Sequence, residues 1–224
     1  MKKIGFIGAY DKTDLIIYIA KILVENDIKV LVVDGTTLQK TRYTVPCITP
    51  SRYYITTYEG VDIAIGFDSF EEIINYNGKE LDYDMVLLDI DNQEHFNSFA
   101  METSDKNYFV TAFDNYSLKK GLEIIGKSEE KLLMTKILFS RNMEKEEDEY
   151  LNFISFYYGV NWSKEKIYFP FEVGDNSIII ENQRSARISY KELSMQYKEG
   201  ILEIMSQIAP EIRTGDVKKM LKNI

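Results

Sequence analysis

Three observations in this 224-residue chain predict an α/β fold: a three-layer, mainly parallel sheet of about seven strands with helices on both faces. Short apolar runs alternate with stretches whose apolar residues recur at helical spacing. Several runs are continuously apolar rather than alternating, as expected of strands covered on both sides. Gly8, Asp34 and Asp89 all fall at the carboxyl ends of such runs, where open parallel sheets present their ligand sites.

Ile4 to Ile7 is the first run, closed by Gly8. From Thr13 the period changes, and Leu15, Ile16, Ile19, Ala20, Ile22 and Leu23 mark a helix that ends at Asn26-Asp27. Lys29-Val-Leu-Val-Val-Asp34 is a second strand ending in an acid. Residues 35–54 have no period; their threonines, Pro46, Pro50, Lys40 and Arg42 predict a long loop. Val61 to Ile65 is the third strand, followed by a short helix near Ser69–Asn75 and a turn at Asn77-Gly78. Tyr83-Asp-Met-Val-Leu-Leu-Asp89 is the fourth strand, again ending in an acid, and residues 90–107 read as polar and irregular. Tyr108–Ala112 is a strand, Ser117–Gly126 a helix and Leu132–Phe139 a strand. Met143–Tyr158 is a helix whose acidic beginning suits the positive end of the helix dipole. Lys166–Phe169 is the last predicted strand, closed by Pro170. Tyr190–Ile208 reads as an amphipathic helix and Asp216–Leu221 as a short terminal one.

The length is consistent with a single domain over residues 1–224. The net charge of -9 argues against a nucleic-acid-binding surface. Lys2-Lys3 leads at once into a strand rather than into an apolar signal region, and no run reaches the roughly 18 apolar residues of a membrane span. The single cysteine, Cys47, permits no internal disulfide, so a cytoplasmic location is expected.

The first strand, turn and helix have the geometry of an anion site, since a helix N-terminus offers free N–H groups and a positive dipole end. Lys12-Thr13 stands where a phosphate loop of the form G-x-x-x-x-G-K-[ST] keeps its Lys and Ser/Thr. The pattern is degenerate. The first glycine position is Phe6 and the glycine before the lysine is Asp11, which brings a negative charge to where phosphates would sit. On these residues alone, an ordinary strand–turn–helix is an equally good reading.

Taken together, these segments resemble the MinD/ParA-type P-loop ATPases, including partition proteins and pilus-assembly (TadZ/CpaE-like) relatives. Ile4–Thr13 is similar to their first strand and phosphate loop, Lys29–Asp34 to their second strand, and Tyr83–Asp89 to their Walker B strand. Thr111 and Ser117 match a further segment, Asn142 matches the base-contacting asparagine, and Ile167–Pro170 the approach to the adenine loop. The resemblance implies ATP and Mg²⁺, with Gly8, Asp11, Lys12 and Thr13 around the phosphates and Asn142 at the base. It implies Thr13 and Asp89 at the metal and Asp34 orienting the hydrolytic water. It implies a homodimer and a protein partner within a larger machine. The family's signature lysine falls at Ile7, so hydrolysis is expected to be weak or absent, because phosphoryl transfer depends on charge stabilisation. The function implied is that of a nucleotide-linked switch or positioning factor for a pilus, secretion or partition machinery; the alternative is a pseudo-ATPase scaffold or docking subunit that neither binds nor hydrolyses nucleotide. Peripheral membrane contact through Lys218, Lys219 and Lys222 is conceivable, but three lysines on a short helix are too few to carry it.

Other residues have plainer expectations. Asp34 and Asp89 are equally readable as helix caps or as partners of Lys12, and Asp11 as the cap of the first helix paired with Lys12. His95 reads as a solvated loop residue. Met195, Tyr197, Ile201, Ile204 and Ile208 read as core or interface.

Overall fold

The computed structural model describes residues 1–46, 51–126, 131–140 and 145–223. One eight-stranded sheet organises them. Its strands are β1 (Lys2–Ile7), β2 (Val30–Gly35), β3 (Tyr54–Tyr58), β4 (Val61–Ile65), β5 (Met85–Ile90), β6 (Lys106–Ala112), β7 (Leu132–Ser140) and β8 (Val160–Pro170), in the order β3-β4-β2-β5-β1-β6-β7-β8. All neighbours are parallel except β3 and β4. β1 lies centrally, between β5 and β6, as the sequence predicts.

The helices are α1 (Thr13–Val24), α2 (Thr41–Thr44), α3 (Phe70–Asn77), α4 (Gln93–Ser98), α5 (Asn115–Ile125), α6 (Lys145–Ile154), α7 (Val173–Ser185), α8 (Met195–Ile208) and α9 (Thr214–Asn223). Four begin at side chains that accept a backbone N–H: Ser69, Asn92, Asp114 and Ser194. Strand residues alternate between the two faces of the sheet. Ile4, Phe6, Val30, Val32, Met85 and Leu87 enter one apolar cluster with α1, α8 and α9. Ile7, Leu31, Val33, Val86, Leu88 and Ile90 enter another with α3, α4, α5 and α6. This is the three-layer arrangement. Among the described residues no helix is long and apolar enough to cross a membrane.

Several expectations are corrected. The sheet of about seven strands is present with eight; what changes is the predicted loop 35–54, which holds α2 and ends by entering β3, and β3 pairs antiparallel with β4 across a tight turn at Glu59-Gly60. The stretch 90–107 is not irregular: it carries α4, a 3-10 turn at Met101–Thr103 and the start of β6. β8 begins at Val160, six residues before its predicted start at Lys166. α7 was not predicted, and α8 begins at Met195 rather than Tyr190, with Ser194 as its cap. The predicted helix 143–158 runs as α6 to Ile154 and ends in a 3-10 turn, Ser155–Tyr157. Tyr197, Ile201, Ile204 and Ile208 are core, but Met195 is solvent-exposed.

Candidate functional site

β1 stops at Gly8, whose φ of +151° few side-chain-bearing residues adopt. A Cβ there would lie 2.0 Å from the Val110 carbonyl oxygen on β6. The turn therefore rests directly on the neighbouring strand and rises through Ala9, Tyr10 and Asp11 into α1.

Lys12 does not face solvent. Its side chain is 2% exposed, its Nζ donates to the Gly8 carbonyl (2.8 Å), and it lies 2.6 Å from Asp89 Oδ1. That last contact is a close charge pair without good hydrogen-bond direction, since Oδ1 accepts no well-aligned bond. The Thr13 hydroxyl stands 3.5 Å from Asp89 Oδ2, the outer limit of a hydrogen bond. Strand register places Asp34 directly beside Asp89 across β2 and β5. Burial pushes the Asp89 carboxyl up to about 7; Lys12 opposes the shift while Asp34 and Asp11 add to it. Gly8, Lys12, Thr13, Asp34 and Asp89 thus converge at the carboxyl ends of β1, β2 and β5, as the sequence places them.

Their partners differ from expectation. Asp11 does not pair with Lys12: its Oδ2 takes the Lys40 ammonium at 2.8 Å, and its Oδ1 accepts the Thr13 backbone N–H at 3.2 Å. Burial works to raise the Asp11 carboxyl, but the bond to Lys40 and the Thr13 N–H leave it below the usual carboxylate range. Asp34 is occupied locally, with Oδ1 accepting from the Thr36 N–H and hydroxyl and Oδ2 from the Thr41 N–H. It fastens the loop that carries Lys40. Both oxygens of Asp14 accept from Gln183 Nε2 on α7, and burial pushes its carboxyl up to about 6. His95 is no solvated loop residue. It lies in α4 with a 14% exposed ring, Nδ1 donating to the Gly35 carbonyl (2.7 Å) and Nε2 facing Asp68 (3.1 Å). Asn142 lies outside the described residues. Lys40, Asp14 and Gln183 were not singled out from sequence, because their partners are brought close only by folding.

A cleft of about 570 Å³ opens beyond the turn, walled by the rings of Tyr10, Phe139 and Phe171 and by Asp11, Asp14 and Glu172. In this arrangement the first free N–H of α1 holds the Asp11 carboxylate, Lys12 is paired with Asp89, and acids line the approach. Among the described residues no group of three or more His, Cys, Asp or Glu side chains is placed to hold a metal ion.

The sheet order and the helices on both of its faces define a three-layer α/β fold of the P-loop NTPase-like kind. No protein-family model and no curated protein matches the chain. Among solved structures it is similar to a chain of the MinC:MinD cell division protein complex of Aquifex aeolicus, with TM-score 0.56, 14% identity, and coverage of 95% of this chain and 98% of that one. It is similar to a ParA family ATPase from Chlorobium tepidum TLS, with TM-score 0.53, 16% identity and coverage of 99% and 96%. It is also similar to a putative plasmid partition protein from Borrelia burgdorferi B31, solved bound to AMPPNP, with TM-score 0.56, 12% identity and coverage of 92% and 98%. At these identities the likeness is one of fold.

Proposed function

We propose that the chain is a degenerate MinD/ParA-like P-loop protein that serves as a docking or positioning subunit of a larger assembly, of the pilus, secretion or partition kind, with its phosphate turn held shut. The observation that carries this reading is the double closure of the turn. Lys12 is buried against Gly8 and Asp89, and Asp11 takes the first N–H of α1 while gripping Lys40. An anion site already filled by a carboxylate of its own chain has little to offer a phosphate. Ile7, in place of a cross-dimer lysine, points the same way, since it supplies no charge to a transition state. The proposed setting is cytoplasmic, with a protein partner and a homodimer as the family resemblance suggests.

One observation favours a nucleotide-linked switch instead. Gly8, Lys12, Thr13 and Asp89 lie together at the strand ends, so displacement of Asp11 would free the turn. Calorimetry with MgATP separates the two. No heat of binding from the unaltered chain at millimolar nucleotide supports the docking subunit, whereas saturable binding that Lys12→Ala abolishes supports the switch.

A further inference from the structure

β8 ends the sheet, pairing with β7 and with no other described strand. At eleven residues it is a long edge, and a strand edge presents a row of unpaired N–H and C=O groups. The first half is guarded by charged, exposed Lys164 and Glu165 at an irregularity in the β7 pairing. In the second half, Lys166 is turned to Asp148 on α6 and Pro170 closes the strand, which leaves Ile167, Tyr168 and Phe169 between them without a charged, exposed side chain. Beside it runs a groove of about 740 Å³ between the strand and α8.

The groove has a distinctive lining. Phe169 and Phe171 give it an apolar base, while Glu172, Glu199 and Glu203 stand along its walls. α8 comes close here because residue 200 is glycine: a Cβ would meet the Phe169 ring at 2.6 Å. The helix therefore lies directly on the Phe169 ring, with Tyr197 packed edge-on against it at 4.9 Å. The three glutamates are exposed, and among the described residues none forms an ion pair. The Glu203 carboxyl is raised, first by burial and second by Glu165, so acids crowd this side of the strand.

We propose that the open second half of β8 and this glutamate-walled groove form a docking surface for an extended, lysine- or arginine-bearing segment of another protein, added as a ninth strand. The main chain of the guest would pair with β8, and its cations, on alternate residues, would meet the glutamates. Charge selects this occupant over a second copy of the chain, since two copies edge to edge would bring their acidic walls together in a protein of net charge -9. The surface lies apart from the phosphate turn, and the proposal stands or falls independently of whether that turn binds nucleotide.

The test uses the whole chain and three capped, fluorescein-labelled peptides: one alternating lysine with valine, one alternating glutamate with valine, and the lysine peptide N-methylated at alternate amides. Fluorescence anisotropy should show binding of the lysine peptide, weakened by salt. It should show at least tenfold weaker binding of the other two, and the amide resonances of Lys166–Phe169 should shift. Glu199→Lys with Glu203→Lys, both on the exposed side of α8, should cost the lysine peptide at least tenfold while the circular dichroism spectrum stays the same. Equal binding of the N-methylated peptide would overturn strand addition in favour of charge alone. No binding, or concentration-dependent dimerisation that protects the β8 amides from exchange, would overturn the proposal in favour of a guarded edge or a self-pairing one.

Discussion

At the scale of single residues, Asp11 decides the behaviour of the phosphate turn. Two like charges about 4 Å apart repel by roughly 4 kcal/mol at an effective dielectric near 20; Asp11 is 46% exposed, so much of that is screened. Asp11→Gly removes the charge, frees the Thr13 N–H and releases Lys40. MgATP should then bind at least tenfold more tightly, about 1.4 kcal/mol, and calorimetry on the two proteins checks it; unchanged affinity would leave the turn with no phosphate role. Asp14 gives a second expectation. Its carboxyl is raised from 3.8 to about 6 in the fold, so the folded state holds the proton more firmly than the unfolded one. That contribution to stability is complete below about pH 4 and is lost as pH rises to about 6. Asp14→Asn should flatten the pH dependence of the melting temperature across this window, and an unchanged slope would show that burial does not govern the group. The sequence made Gly8, Lys12, Thr13 and Asp89 legible because strand ends and a spaced motif locate them. It did not reveal Lys40 as the partner of Asp11, because the two are 29 residues apart and no local pattern joins them.

At the scale of elements, the strands easiest to read were those buried on both faces. β1, β2 and β5 carry near-continuous apolar runs, and they lie in the middle of the sheet. β3 escaped because Tyr-Ile-Thr-Thr-Tyr is an edge strand with mixed burial, preceded by two prolines. α7 escaped because Ile178, Ile179 and Ile180 stand in a row rather than at helical spacing. α6 is attached to the sheet by a polar cluster that no motif marks. Lys136 on β7 and Lys166 on β8 both hold Asp148, and Lys136 also reaches Asn152 and the Trp162 ring. The Lys136 side chain is 2% exposed, so removing its counter-charge leaves a buried cation. Asp148→Asn should cost about 3 kcal/mol in urea unfolding; a loss below about 1 kcal/mol, as from an exposed pair, would mean that the cluster is hydrated. Gly8→Ala tests the middle of the sheet, at the carboxyl end of β1. With φ at +151° and a Cβ set 2.0 Å from a backbone oxygen, it should cost at least about 2 kcal/mol.

At the scale of the whole molecule, the closed turn makes hydrolysis the least expected activity. Phosphate release from ATP should be no faster with the unaltered chain than with Lys12→Ala, and a turnover that this substitution abolishes would reverse the reading. The sheet itself has a further consequence. It stands as a wall between two apolar clusters, one holding Ile201 on α8 and the other Ile73 on α3. Trimming either residue to valine removes one methylene from a filled space, at about 1 kcal/mol each. Because the two sites share no neighbours, the paired substitution should cost the sum of the single ones to within about 0.5 kcal/mol. Ile201→Val combined with Ile204→Val, both in one cluster, should depart from the sum. Mutational tolerance in this fold is then set separately on each side of the sheet, so that the cost of a lesion on one face does not depend on what has changed on the other.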